Sequence, residues 1–181
     1  MAERWNYTHG LKDIGKGLYA WLQPDGGWGW SNAGLIVGGD QSLLVDTLFD
    51  MKLTADMLKS MRDATGLSPD DIGVIVNTHA NGDHTHGNGC CQHAEIIASE
   101  ASAREMEDVN PALLAQLLKM APGMGAAGAY YAEIFGMFDF AGVKERGPTR
   151  TFSGQLDLKV GDKAVELIEV GPAHTAGDVL V

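Results

Sequence analysis

The chain is poor in cations. Its 181 residues carry 13 Lys and Arg against 24 Asp and Glu, a formal charge of −11. Phosphate binding needs clustered positive charge, so a general affinity for nucleic acid or an anionic membrane surface is excluded. Cysteine is scarcer still: there are two, Cys90 and Cys91, and they are adjacent. Neighbouring cysteines fit the geometry of an ordinary disulfide poorly, and thiolate metal sites use spaced pairs. The two thiols therefore read as small residues under the core, and the lack of a disulfide framework points to a reducing compartment. The opening segment MAERWNYTHG has no apolar core of the kind a secretory leader needs. The most apolar stretch, residues 111–143, is interrupted by Lys119, Pro122, Glu133 and Asp139. It falls short of the roughly 20 continuous apolar residues that span a bilayer. The expectation from these absences is a cytoplasmic protein with no membrane or nucleic-acid partner.

What is present is an ordinary globular composition, 45% apolar and 20% charged, which argues against disorder. The length suits a single domain over residues 1–181. The 24 glycines are scattered among apolar segments, as tight turns require. Residues 17–23 read as a strand, and 33–38 with 42–46 as a hairpin across Gly38-Gly39-Asp40. Leu53, Met57, Leu58 and Met61 fall on one face of a helix over 51–65. Residues 72–77 and 94–98 are short apolar strands, with a helix after the glycine-rich loop between them. Residues 100–142 are helical in pattern, with a boundary at Asn110-Pro111 and a break at Ala121-Pro122-Gly123. Residues 151–160 and 164–170 read as two strands, and 178–181 begins another. Strands and helices in this order make a layered α/β protein.

The chemistry concentrates at two loops. Residues 79–86 (HANGDHTH) hold three of the chain's six histidines and an aspartate, directly after an apolar strand. Imidazole and carboxylate in such a cluster suit Zn²⁺, which takes His nitrogen and Asp oxygen at ~2.0–2.2 Å. Residues 171–178 (GPAHTAGD) also follow an apolar strand and carry His174 at the turn. A lone histidine is more often structural, but as a pair the two loops point to a metal centre.

The motifs His79-Ala80-Asn81-Gly82-Asp83-His84 and His174-Thr175-Ala176-Gly177-Asp178 resemble H-x-H-x-D-H and H-T-x-G-D of the metallo-β-lactamase-fold hydrolases. Leu44-Val45-Asp46-Thr47 resembles the family's strand-end aspartate beneath the metal site, and NAGLIVGGDQSLLVDT resembles its N-terminal hairpin. The resemblance implies an αββα sandwich with residues 100–150 as a helical insertion. It implies one or two zinc ions, with His79 and His174 on the first and Asp83 and His84 on the second. Asp83 would also orient the attacking water, making it the catalytic carboxylate, and Asp46 would support the ligands from behind. Trp28 and Trp30 lie on the loop that overhangs the site in the family. Two readings are open for them, an aromatic wall for substrate or packing on the core.

The chain departs from the pattern in two ways. Asn81 stands where the family has its middle histidine, and an amide is a weaker ligand than imidazole. It either coordinates or only hydrogen-bonds near the metal. His86, just beyond the motif, is expected behind the ligands or in solvent. Family members also continue past H-T-x-G-D to supply a bridging aspartate and a final histidine, whereas this sequence stops at Val181. The resemblance thus covers the first two-thirds of the domain, leaving the C-terminal half of the sandwich incomplete and a strand edge open. Three accounts are open: a fragment of a longer protein, a fold completed by another chain, or a short natural form. The expected function is a metal-dependent hydrolase that directs a metal-bound hydroxide at a small ester, thioester, lactone or amide. The alternatives are an iron-dependent oxidative enzyme of the same fold, or an inactive fragment or binding module. A small-molecule substrate and a homodimer or completing chain are the partners these readings imply.

Overall fold

Leu43 and Leu44, Ile75 and Val76, and Ile96 and Ile97 are consecutive pairs in which both residues are buried. Neighbours on a strand point to opposite faces, so these strands must be covered on both sides. The computed structural model describes residues 7–24, 26–108 and 110–181. The first six residues of the opening segment, read above for a leader, lie outside the described residues.

The double burial belongs to a seven-stranded sheet in chain order: β1 (Gly10–Gly15), β2 (Leu18–Leu22), β3 (Ala33–Gly38), β4 (Gln41–Val45), β5 (Val74–Val76), β6 (Glu95–Ser99) and β7 (Arg150–Phe152). Strands β1 to β4 form an antiparallel meander, and β4 to β7 run parallel. On one face Leu35, Leu44, Ile75 and Ile96 pack against Met57, Leu58 and Met61 of helix α1 (Met51–Thr65). On the other, Leu43, Val76, Ile97 and Phe152 meet Val160, Val165, Leu167 and Val179 of a second sheet. That sheet has three antiparallel strands, ordered β10-β9-β8: β8 (Gln155–Val160), β9 (Lys163–Glu169) and β10 (Val179–Leu180). The layering is the α/β sandwich expected from the sequence, with a second sheet much smaller than the first.

Helix α1 forms where the periodicity placed it because both ends are capped. Asp50 Oδ1 accepts the Leu53 N–H at 2.7 Å, and Gly66 at φ 81° closes the last turn by donating to the Arg62 carbonyl at 2.7 Å. A short helix α2 (Gly82–Thr85) follows β5. The helical segment comprises α3 (Glu100–Met106), α4 (Pro111–Met120) and α5 (Gly125–Phe135). Asn110 caps α4 ahead of Pro111, and a 3-10 turn over Ala121–Gly123 separates α4 from α5. Among the described residues no helix is long and apolar enough to cross a membrane.

Two elements differ from the sequence reading. The run 151–160 is not one strand: it turns at Gly154, φ 73°, so that β7 joins the large sheet beside β6 and β8 begins the small one. Its alternation continues across the break, so periodicity does not reveal the change of sheet. Strand β1 was not anticipated. It sits at a sheet edge with Ile14 54% exposed, and so lacks the apolar alternation of a buried strand.

Candidate functional site

The parallel strands β4 and β5 end side by side, and their carboxyl ends carry Asp46 and Thr78-His79. Asp46 has φ 62°, a left-handed conformation that aspartate tolerates better than most side chains. Its buried carboxylate accepts the Thr78 N–H on Oδ1 and the Thr78 hydroxyl on Oδ2, both at 2.7 Å. Oδ2 also lies 2.8 Å from His84 Nδ1. A carboxylate only accepts, so His84 Nδ1 carries a proton, and in the neutral ring Nε2, 3.6 Å from Asp83 Oδ2, keeps its lone pair. The Thr78 hydroxyl, its proton already directed at Asp46, lies 3.0 Å from His79 Nδ1. It can only accept there, so His79 is likewise protonated on Nδ1 and bare on Nε2.

The loop behind these rings is rigidly tied. The His84 carbonyl accepts the Thr47 N–H at 3.0 Å and Asn77 Nδ2 at 2.9 Å, and the Asp83 carbonyl accepts the Ser31 hydroxyl. Asn77 and Asn88 pair through their buried amides, with Asn88 Nδ2 2.9 Å from Asn77 Oδ1. Gly82 admits no side chain, since a Cβ there would sit 2.4 Å from the His86 ring. His86 is itself 5% exposed and stacks on Phe49, with centroids 5.5 Å apart. Among the described residues neither of its ring nitrogens meets hydrogen-bond geometry. It lies beneath the loop, not in solvent, and burial lowers its pKa.

His174 arrives from the second sheet, on the turn between β9 and β10. The turn is closed by Asp178, whose Oδ2 accepts the Thr175 N–H at 2.7 Å, and is held from below at Gly177. The Gly177 carbonyl accepts hydroxyls from Ser99 at 2.7 Å and Ser102 at 2.8 Å, on β6 and α3. The ring itself is exposed. Its centroid is 5.1 Å from that of His79, which is 4.2 Å from that of His84. Asp83 Oδ2 is 3.6 Å from His84 Nε2. Asn81 Nδ2 is 2.8 Å from His174 Nε2.

The residues that the sequence singled out for the metal therefore lie together, with Asn81, Asp83 and His174 on the wall of one cleft and the His79 and His84 rings beside them. Burial, with His84 and His174 adding to it, lowers the pKa of His79, which favours the neutral ring a metal needs. Burial acts the same way on His84, but the hydrogen bond and charge of Asp46, helped by Asp83, outweigh it, so its pKa is raised. The donor set of imidazole and carboxylate fits Zn²⁺ or another borderline divalent ion. Among the described residues, no three His, Cys, Asp or Glu side chains already close around a common point.

The cleft holds about 520 Å³. Asn81, Asp83 and His174 form its polar side, and Trp28, Trp30, Phe49, Leu114 and Phe135 form an apolar wall. Trp28 is 69% exposed at the rim, whereas Trp30 packs on Phe138 with centroids 5.3 Å apart. Gly29 between them lets the loop approach, since a Cβ there would meet Phe49 at 2.3 Å. Phe49 and Leu114 escaped the sequence reading because they come from the chain just before α1 and from α4. The Phe49 and Phe138 rings meet at a tilt with centroids 4.8 Å apart, and Asp50 Oδ2 accepts the Asp139 N–H at 3.1 Å, so the helical segment is clamped beside the site. Met120, Met124, Tyr130 and Met137 face outward. Cys91 is buried and Cys90 partly so, both as free thiols. Burial pushes their pKa values up to about 12 and about 11.

The family model described as the metallo-beta-lactamase superfamily matches residues 26–181. Solved structures similar to this chain include a metallo-beta-lactamase from Pontibacter korlensis, at TM-score 0.64 and 16% identity over 93% of this chain and 64% of that one. A subclass B3 metallo-beta-lactamase of Bradyrhizobium japonicum matches at TM-score 0.61 and 18% identity, over 96% of this chain and 56% of that one. A metallo-beta-lactamase from Novosphingobium pentaromativorans matches at TM-score 0.64 and 18% identity, over 96% of this chain and 55% of that one. At these identities the likeness concerns the fold, and the chain spans 55–64% of the length of these three structures. No curated protein matches the chain.

Proposed function

Since the chain belongs to the metallo-beta-lactamase superfamily, we propose that it is a zinc-dependent hydrolase of a small ester, thioester, lactone or amide with an apolar substituent. The observation that carries this reading is the pair of imidazoles whose Nδ1 atoms are engaged by Thr78 and Asp46, so that their Nε2 lone pairs are left for a metal, that of His84 3.6 Å from Asp83 Oδ2. Asp83 and His84 would hold the metal, with His79 Nε2 beside them. A metal bound there supplies an acidified water and a positive charge to polarise a carbonyl.

The chain's own residues supply the rest. Asp46, buried and doubly hydrogen-bonded by Thr78, keeps the His84 ring in one orientation and one tautomer. Asp83 has two oxygens, so one remains to accept a proton from the attacking water and so to aim it. The apolar wall of Trp28, Trp30, Phe49, Leu114 and Phe135 takes the hydrophobic part of the substrate and sheds water from beside the reacting carbonyl.

The test loads the purified chain with zinc and offers an aryl ester, an acyl thioester, an acyl lactone and an aryl amide, each with an apolar group. Turnover of at least one is expected, abolished by a chelator and by His84→Ala. With zinc demonstrably bound, failure on all four would sink the reading.

A further inference from the structure

The two ends of the donor set are not equivalent. In a tetrahedral site with bonds of ~2.0–2.2 Å, two ligand atoms stand roughly 3.3–3.6 Å apart. His84 Nε2 and Asp83 Oδ2, at 3.6 Å, already have that spacing. The pair needs no partner broken, because the hydrogen bonds of His84 are made through Nδ1 to Asp46. At the other end, His174 Nε2 and the Asn81 amide are at hydrogen-bond distance, 2.8 Å. The amide has two orientations, and both lead to the same result. If the NH₂ group faces the ring, it donates into the Nε2 lone pair that a metal would use. If the oxygen faces the ring, Nε2 must carry a proton and has no lone pair to give. Either way the nitrogen that a metal would need on His174 is engaged by Asn81.

A metal recruiting His174 would have to break that bond and would gain only a neutral amide in place of an imidazole. We infer that this chain is a one-metal protein, with the ion on Asp83 and His84, and that Asn81 withholds His174 from it. This rests on the metal-binding reading of the cleft given above. Asn81 and His174 then serve as a paired polar edge of the cleft, open to the substrate. Asn81 is in this account a positioning residue, acting on metal number through His174.

Zinc titration of the purified chain, read by equilibrium dialysis with elemental analysis and repeated with cobalt(II) absorption, tests it. A single metal per chain is expected. His84→Ala, or the milder Asp83→Asn should either variant misfold, weakens that binding by more than ~100-fold. His174→Ala leaves it within a factor of a few. Asn81→His brings in a second equivalent. Two equivalents bound by the unaltered chain at similar affinity overturn the one-metal inference while leaving the hydrolase reading standing. Loss of the metal in His174→Ala, or a single equivalent in Asn81→His, overturns it in the same way. No binding at all overturns both.

Discussion

The His84 side of the cleft and the His174 side are built by opposite means. His84 stands on α2, and its carbonyl, its ring and the aspartate that orients the ring are held by groups just past the ends of β4 and β5, namely Thr47, Asn77, Asp46 and Thr78. His174 stands on an exposed turn, tethered through Gly177 and Asp178, and its ring is hydrogen-bonded to Asn81. The difference teaches where strength of binding and where adaptability belong. Strand ends that emerge from a doubly covered sheet give fixed geometry, while a turn on the small second sheet gives a group that can be turned to another task.

The largest expected effect breaks the rigid side. Asp46→Asn should lower zinc affinity ~10–100-fold, measured by competition with a chromophoric chelator, because the ring loses its orienting carboxylate. In the metal-free chain the same change should lower the His84 pKa, followed by the imidazole NMR signals across a pH titration. The sign follows from linkage. A raised folded pKa gives stability that is fully present below the unfolded imidazole value and lost as pH rises through the folded one. Asp46→Asn removes that gain on acidification. A tight metal complex and an unchanged titration in this variant would show that Asp46 is not the anchor.

The next effect loosens the open side without touching its ring. Ser99→Ala with Ser102→Ala removes both hydroxyls from the buried Gly177 carbonyl, which should cost ~1–3 kcal/mol in the denaturant midpoint. Amide exchange should quicken over residues 173–178 and stay slow at Thr78 and Asn77. Uniform quickening would mean that the two sides are one cooperative unit. The smallest effect is at the rim: Trp28→Ala should change stability by less than ~0.5 kcal/mol, while Trp30→Ala, which strips the contact with Phe138, should cost several times more.

Much of this could be read in the chain itself. The His79–His84 cluster and the His174 turn are local in sequence, and each follows an apolar strand, so their chemistry and their place at strand ends were legible. So was α1, whose caps and apolar face lie within 50–66. The part of the apolar wall made by Phe49 and Leu114 was not, since these two are remote in sequence and neither is distinctive alone. Nor was the buried place of His86, because the Phe49 ring and the bare Gly82 that enclose it leave no periodic mark. The change of sheet at Gly154 escaped for the same reason: alternation reports which residues face inward, not which sheet they face.

By itself, then, the sequence determined most of the strands, the layered α/β class and the chemical nature of the donors. These depend on local periodicity, capping and residue type, which act over a few residues. Only the tertiary structure decided which nitrogen each histidine presents and which donors are already engaged. Asp46 meets His84 across 38 positions, and Asn81 meets His174 across 93. A hydrogen bond depends on a few tenths of an ångström between atoms so far apart in the chain, and that distance is set by the packing of the two sheets.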